Sequence, residues 1–315
     1  MTGILNAWSR GALALLGAAA LYASFGVPIR ILDTWFGHST QAAARFAVAA
    51  AILAGITVWQ GSRVALHQLL RERFWPALGL AAAVSAEVVF FTAAVTRTTL
   101  ANTVFLLYAG TIVTSLAMGA LLFGEHMTAT KAVATAIALT GLATYAGSLA
   151  ALSTGVLAGL AAGICNGAAN GLRRSLKKAD RGAVLLIQYG FGSLIALLIA
   201  VLLGERLVHP AGAGVDIVWP LLVAVVFGAA LVGLGYLLLY GFGHCDLSAG
   251  TILLTTEIGF AVLFGWLLYG EIPSVTEAIG GVLVFAAAIV AVLDSPESTA
   301  ESPGASAPPT AGHLG

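Results

Sequence analysis

Three ionisable side chains, Arg45, Glu87 and Glu257, lie inside long apolar stretches of the chain. A charged side chain near the middle of a lipid-facing helix costs about 2.5 to 3.5 kcal/mol, so such residues generally bind a ligand, an ion or one another. Arg45 lies about five residues (7 to 8 Å) and Glu87 about nine residues (13 to 14 Å) from the same face of the membrane. We therefore expect a buried Arg45–Glu87 ion pair. In the alternative, Arg45 extends to the membrane surface and leaves Glu87 alone.

The elements that carry these residues are predicted to be membrane-spanning helices. Of the 315 residues, 59% are hydrophobic and 9% are charged, and the mean hydropathy is +0.98. Soluble domains have roughly 45 to 50% apolar and about 25% charged residues. About 20 apolar residues cross the roughly 30 Å core of a bilayer. Ten segments, spans 1 to 10, meet this requirement: 11–29, 40–60, 75–96, 100–123, 132–150, 154–172, 182–203, 217–241, 247–269 and 273–293.

Two segments of the chain, 107–125 and 253–271, look like copies of one helix. They agree at seven of 19 positions, and both end in Gly-Glu, as Gly124-Glu125 and Gly270-Glu271. Internal repeats are typical of transporter folds. The sequence therefore predicts an all-α integral membrane protein in which ten transmembrane helices form two five-helix repeats, at 1–150 and 151–293. Because five is an odd number, the second repeat is inverted relative to the first.

The Gly-Glu ends are interpreted as turn architecture. A carboxylate at a helix C-terminus opposes the helix dipole, so each glutamate is expected to serve the helix that follows. Thr128 is predicted to cap span 5, and the residues from Ser274 to Glu277 form a capping box for span 10. The segment 294–315, rich in Pro, Ser and Ala, is predicted to be a disordered cytoplasmic tail.

The basic residues predict the orientation. With both termini in the cytoplasm, three basic residues lie outside (Arg30, Arg97 and Arg206) and ten lie inside: Arg10, Arg63, Arg71, Arg73, Lys131, Arg173, Arg174, Lys177, Lys178 and Arg181. Such a bias toward the cytoplasm is the usual pattern. The cluster from Arg173 to Lys178 is interpreted as a topology anchor, with binding of anionic lipid headgroups as the alternative.

Span 6 combines a seam of small residues with two amides. Its glycines recur every four residues: Gly155, Gly159, Gly163, Gly167 and Gly171. Small residues let two membrane helices approach closely, so the seam is predicted to be a packing surface. Asn166 and Asn170 lie next to it, one turn apart, and either line a cavity or make hydrogen bonds between helices.

Glu257 lies about ten residues into span 9, near mid-membrane, and no Lys, Arg or His lies in another span at that depth. It is therefore expected to lack a cationic partner. Removal from water favours the neutral form of a carboxyl group. Alternating access to water would then load and unload a proton, and the rival interpretation is a permanently protonated Glu257 that hydrogen-bonds a ligand.

Enzymatic and nucleic-acid functions find little support in the sequence. All histidines and aspartates lie in predicted loops or in the tail, so no span holds a catalytic pair or a metal-binding motif. We expect no catalytic residue, metal or cofactor. The net charge of zero offers no basic surface for nucleic acid.

These patterns resemble the EamA-type branch of the drug/metabolite transporter superfamily over about residues 11–293. The Gly-Glu helix ends and the sequence Ala44-Arg45-Phe46 carry the resemblance. Where that family commonly has Glu-Pro, this chain has Glu257-Ile258, and span 4 has Thr111-Ile112 at the matching place. The resemblance implies an inner-membrane carrier, with spans 1 to 4 and 6 to 9 around a central cavity and spans 5 and 10 outside it. It also implies export of amino acids or related metabolites.

The charges narrow the substrate class. A polyanion would need several buried cations, and the spans offer only Arg45. A neutral, zwitterionic or singly charged amphiphile is expected instead, bound by the two asparagines and by the aromatic residues Tyr22, Tyr108, Tyr189 and Tyr236. The expected partners are this small molecule, the lipid bilayer and protons. Whether the protein forms a homodimer is left open by the sequence. An intramembrane enzyme and a non-transporting sensor or scaffold are the competing classes.

Overall fold

The computed structural model describes residues 7–33, 35–61, 63–95, 97, 100–144, 153–205, 218–269 and 275–293. Within these ranges every regular element is an α-helix, as the sequence predicts. The helices are α1 Ala7–Ser24, α2 Gly26–Asp33, α3 His38–Trp59, α4 Arg63–Glu72, α5 Phe74–Val95, α6 Leu100–Phe123, α7 Ala129–Ala143, α8 Thr154–Ser175, α9 Arg181–Leu202, α10 Val218–His244, α11 Leu247–Leu254, α12 Glu257–Tyr269 and α13 Val275–Leu293.

Six of the described helices are long and apolar enough to cross a membrane. They lie at predicted spans 2, 3, 4, 6, 7 and 8: His38–Trp59, Phe74–Ala94, Leu106–Phe123, Thr154–Ser175, Arg181–Leu202 and Val218–His244. Shorter apolar helical segments lie at Ala129–Ala143, at Leu247–Phe260, which includes the turn between α11 and α12, and at Ala278–Ala291. The chain is therefore a multi-pass membrane protein. The predicted tail, the Gly270-Glu271 dipeptide and Ser274 lie outside the described residues.

Span 9, predicted as one continuous helix, is interrupted between α11 and α12. Thr255 and Thr256 form the break, and both are fully buried. The Thr255 hydroxyl donates to the carbonyl of Ile252 at 2.6 Å, and the Thr256 hydroxyl to that of Leu253 at 2.7 Å. Their backbone N–H groups bond to the same two carbonyls. A tighter turn with bonds to the third preceding residue thus forms here, although the Thr255 N–H also keeps an α-helical bond to the carbonyl of Thr251 at 3.3 Å. Glu257 becomes the first residue of α12.

The helix α4 lies in a segment predicted to be a loop, residues 61–74. It is a short amphipathic helix in which Leu69 is buried, whereas His67, Gln68 and Glu72 are exposed. Its one apolar face is too short for a span, and packing of that face stabilises the helix.

Side-chain caps fix several helix starts. The Thr128 hydroxyl accepts a hydrogen bond from the backbone nitrogen of Lys131 at 3.1 Å, which confirms the predicted cap of α7. Asp180 accepts one from the nitrogen of Ala183 at 2.9 Å at the start of α9.

The glycine seam of α8 packs against α6. All five of its glycines are buried. A Cβ atom added to Gly110 of α6 would lie 3.1 Å from the Cα atom of Gly163 and 2.9 Å from the carbonyl oxygen of Leu160. Such spacing leaves no room for a side chain. The seam is therefore the packing surface that the sequence predicts.

The helix α7 packs chiefly against α13. A Cβ atom on Gly141 of α7 would lie 3.0 Å from the Cβ atom of Leu283. None of the polar residues that form the candidate site below comes from these two helices, which correspond to spans 5 and 10.

Candidate functional site

Polar side chains from seven helices meet in the interior of the bundle. Hydrogen bonds and electrostatic interactions connect them. We name this group the polar core cluster; its members are Tyr22 of α1, Arg45 of α3, Glu87 of α5, Tyr108 of α6, Asn166, Asn170 and Arg173 of α8, Tyr189 of α9 and Glu257 of α12. All but Arg173 are residues that the sequence analysis singles out.

A chain of hydrogen bonds runs through the cluster along α8. Asn166 Nδ2 donates to Glu87 Oε1 at 2.8 Å, and Asn170 Nδ2 donates to Asn166 Oδ1 at 3.1 Å. Arg173 Nη1 donates to Asn170 Oδ1 at 2.6 Å. Asn170 is fully buried and Arg173 is 3% exposed. The two amides therefore connect the carboxylate of Glu87 to the buried guanidinium of Arg173.

Arg173 is the residue of this chain that the sequence analysis misses, because it groups Arg173 with the basic residues of a surface loop. A signal was present. Asn166, Asn170 and Arg173 stand at i, i+4 and i+7, which is one face of a helix. Arg173 thus adds a second buried cation to Arg45, and the cluster holds two cations and two carboxyl groups.

The direct ion pair predicted between Arg45 and Glu87 is absent from the ion pairs of the described residues. The guanidinium carbon of Arg45 lies 4.8 Å from the ring centre of Phe227 and 5.8 Å from that of Phe46. The Glu87 carboxylate accepts a hydrogen bond from Asn166 instead. A cation–π contact and an amide thus replace the salt bridge, although the two charges still interact electrostatically.

One donor of Arg45 is left over. Its Nε atom is buried and has no hydrogen-bond partner among the described residues. Buried polar groups are nearly always satisfied in folded proteins. This atom is therefore a candidate ligand-binding donor.

Glu257 has a tyrosine as its partner. The Tyr108 hydroxyl donates a hydrogen bond to Glu257 Oε2, and Tyr108 is 4% exposed. Electrostatic interaction also connects Glu257 with Glu87. Among the described residues no cation forms an ion pair with Glu257.

Tyr236 does not belong to the polar core cluster. It lines a separate cavity beside the start of α9, together with Lys177 and Asp180. The structure thus separates Tyr236 from the polar core cluster, and its part in binding the same ligand as Tyr22, Tyr108 and Tyr189 stays a prediction. Tyr236 is 47 residues beyond Tyr189 in the sequence, and only the packing of α10 on α9 decides which end of the bundle it reaches.

Glu125 serves a different helix from the one predicted. Its carboxylate accepts hydrogen bonds from the backbone nitrogens of Leu247 and Ser248, at 2.7 and 3.2 Å, and from the Ser248 hydroxyl at 2.9 Å. It therefore caps α11 and not α7. The negative charge is favourable there because the N-terminus of a helix is electropositive. Gly124, at φ 64°, makes the turn that brings Glu125 to this position.

An ion-pair network surrounds this cap. Arg174 Nη2 lies 3.2 Å from Glu125 Oε1 and 3.4 Å from Asp246 Oδ1. Lys131 Nζ lies 3.0 Å from Asp246 Oδ2. The ends of α6 and α8 and the starts of α7 and α11 are thereby held together.

Glu205 repeats this arrangement at the end of α9. It follows Gly204, at φ 64°, and its carboxylate accepts bonds from the backbone nitrogens of Ser39 and Thr40 at 2.9 and 3.2 Å. The Ser39 hydroxyl donates to it as well, at 2.8 Å. Glu205 thus caps α3. The sequence analysis misses this contact, although Gly204-Glu205 is a third Gly-Glu dipeptide in the chain.

Comparisons with known proteins agree with this description. The sequence profile of the EamA-like transporter family matches residues 153–293. One solved crystal structure, described simply as that of a protein, superposes with a TM-score of 0.74 at 17% identity, and the match covers 90% of this chain and 97% of that one. No curated protein matches the sequence significantly.

At 17% identity the structural likeness establishes the fold alone. The profile match includes five members of the polar core cluster: Asn166, Asn170, Arg173, Tyr189 and Glu257. The resemblance drawn from the sequence is thereby confirmed over residues 153–293, the part of this multi-pass membrane protein that is similar to the EamA-like transporter family.

Proposed function

We propose that the chain is a secondary active transporter that exports a small zwitterionic or singly charged metabolite, such as an amino acid or a related amphiphile, across the cytoplasmic membrane. In this proposal its ten spans form two inverted five-helix repeats, at 1–150 and 151–293. Both termini lie in the cytoplasm, because ten of the basic residues then lie inside and three outside.

The observation that carries the proposal is the polar core cluster itself. It gathers two cations and two carboxyl groups from different helices inside a membrane protein. Ionisable groups at such positions mark the pathways of substrates and ions. The break before Glu257 supports the same conclusion, because discontinuous helices form the binding sites of many secondary transporters.

The charges of the cluster fit a zwitterion. The unpartnered Nε atom of Arg45 offers a donor for a carboxylate. Glu87 and Glu257 offer acceptors for an ammonium group. The second buried cation, Arg173, is already bonded to Asn170, so the cluster lacks the spare positive charge that a polyanion requires.

Proton coupling is part of the proposal and is assigned to Glu257. This carboxyl group is bonded to a neutral hydroxyl, that of Tyr108, whereas Glu87 lies within the electrostatic influence of both Arg45 and Arg173. Glu257 is therefore the carboxyl group better suited to exchange a proton during transport.

Counterflow in proteoliposomes tests the proposal. Vesicles loaded with an unlabelled candidate solute are diluted into the labelled solute, across a panel of amino acids, amines and carboxylates. We expect at least one zwitterion to accumulate transiently and Arg45→Met to abolish this accumulation, while the exposed-site control Arg71→Met retains it. Consumption of the solute would indicate an enzyme, and no exchange across the whole panel would favour a scaffold or sensor.

A further inference from the structure

A cavity of about 430 Å³ lies at one end of the helix bundle, apart from the polar core cluster. On α3 its lining residues are Leu53, Ile56, Thr57 and Gln60. The spacing i, i+3, i+4, i+7 places them in one stripe, which extends about 10 Å along the helix. The stripe begins at the fully buried Leu53 and ends at the exposed Gln60. The cavity is therefore apolar at its deep end and polar at its mouth.

The mouth carries a net positive charge. Lys177 and Arg181 line it, together with one acidic residue, Asp180. The Asp180 carboxylate accepts a hydrogen bond from the backbone nitrogen of Ala183 and so is engaged by the first turn of α9. The guanidinium carbon of Arg181 lies 4.8 Å from the ring centre of Tyr240, at the end of α10.

The basic cluster 173–178, which the sequence analysis treats as one anchor, is divided by the fold among different environments. Arg173 lies in the polar core cluster. Arg174 pairs with Glu125 and Asp246. Lys177 and Lys178 are both exposed, and Lys177 lines the cavity. Among the described residues, the side chain of Lys177 forms no ion pair.

Neutral polar groups complete the mouth. The Tyr236 hydroxyl lines the cavity beside Gly182, where an added Cβ atom would lie 3.1 Å from it. Gly182 is the second residue of α9, whose N-terminal N–H groups attract anions. A hydroxyl, two cations and a helix N-terminus thus face one space.

We propose that this cavity binds the phosphate headgroup of an anionic phospholipid, with the ester region and first methylenes of the lipid against Ile56 and Leu53. Basic pockets between membrane helices on the cytoplasmic side are typical sites for such headgroups. Trp59, 85% exposed at the end of α3, marks the level of the membrane surface, where tryptophan is enriched. The apolar side chains of Leu53 and Ile56 at the deep end of the cavity favour a lipid over a free phosphate ion.

The test uses the full-length protein in detergent micelles. Phosphatidylglycerol, phosphatidylcholine or inorganic phosphate is titrated, and the apparent melting temperature and the lipids retained in native mass spectrometry are measured. The variant Lys177→Gln/Arg181→Gln removes both cations of the mouth. The matched control Arg71→Gln/Lys178→Gln removes two exposed cations assigned to the same side of the membrane.

We expect phosphatidylglycerol to bind the wild type and the control alike and to bind the cavity variant about thirtyfold more weakly, the equivalent of about 2 kcal/mol for two cations near a membrane surface. Gln60→Trp keeps the charges but blocks the mouth of the cavity, so it should weaken binding as well. This variant replaces the double variant in the test if the double variant does not fold. Equal binding by the cavity variants and the control would overturn the proposal. So would equal stabilisation by phosphatidylcholine or by inorganic phosphate.

Discussion

Asn166 donates a hydrogen bond to the carboxylate of Glu87 at 2.8 Å, and this bond joins α8 to α5 inside the membrane-spanning bundle. Through Asn170 the same chain of bonds ends at Arg173, and its three contacts join residues that are 79, four and three positions apart in the sequence. Four side chains therefore act as one unit, and changes within it should not be independent.

Arg173→Gln tests whether Arg173 stabilises the fold through these hydrogen bonds or serves only as a topology anchor. Removing one charge of a buried, bonded group costs about 3 to 5 kcal/mol. We expect a marked fall in apparent melting temperature and in the yield of monodisperse protein in detergent. The exposed neighbour Lys178, changed to Gln, is the control; similar stability of both variants would show that Arg173 is an anchor alone.

Glu87 should couple more strongly to Asn166 than to Arg45. Residues in direct contact typically show coupling energies of about 0.5 to 3 kcal/mol. A double-mutant cycle of Glu87→Gln with Asn166→Leu is compared with a cycle of Glu87→Gln with Arg45→Met, using thermal unfolding. A larger coupling energy in the second cycle would indicate a direct ion pair between Arg45 and Glu87, which the described structure does not contain.

Glu257→Gln keeps the shape of the side chain but cannot release a proton. We expect this variant to retain substrate exchange in the absence of a gradient and to lose transport driven by a pH gradient, measured in proteoliposomes. The exposed Glu72, changed to Gln, is the matched control and should behave like wild type. Full pH-driven transport by the Glu257 variant would exclude this residue as the coupling site.

Glu125→Gln should destabilise the end of the bundle where α6, α8 and α11 meet. The change removes the charge that caps α11 and one partner of Arg174. Loss of a helix cap alone costs about 0.5 to 2 kcal/mol. Hydrogen exchange of the first turn of α11 should increase, while that of α3, capped by Glu205, stays unchanged; an equal increase at both helices would argue against a local role.

The proposed orientation places the segment 173–181 in the cytoplasm. A fusion of alkaline phosphatase after Lys178 should therefore be inactive, and a fusion of a cytoplasmically active reporter at the same position should be active. Activity of the phosphatase fusion would contradict the assignment of both termini to the cytoplasm.

Most of the polar core cluster could be predicted from the sequence because a charge or an amide within an apolar helix is conspicuous in itself. Arg45, Glu87, Glu257 and the two asparagines are all of this kind. Arg173 was hidden because it lies beside exposed basic residues, and only its helical register relative to Asn170 separates it from them.

The contacts that could not be predicted are those between residues distant in sequence. Glu205 reaches Ser39 across 166 residues, and no local pattern indicates which helix start a carboxylate will reach. The break at Thr255 and Thr256 was missed for a different reason. Threonine is compatible with an apolar helix, and the outcome depends on whether its hydroxyl bonds back to the preceding turn.

Each of the two carboxylate caps can form only at a particular stage of synthesis. Glu205 is synthesised 166 residues after Ser39, so the start of α3 lacks its capping carboxylate until then. Glu125 is synthesised 122 residues before Leu247, so this carboxylate is present before the helix that it caps, α11. At translation rates of about 5 to 20 residues per second, the first delay lasts roughly 8 to 33 seconds and the second roughly 6 to 24 seconds. This end of the bundle is therefore completed only after α11 has been synthesised.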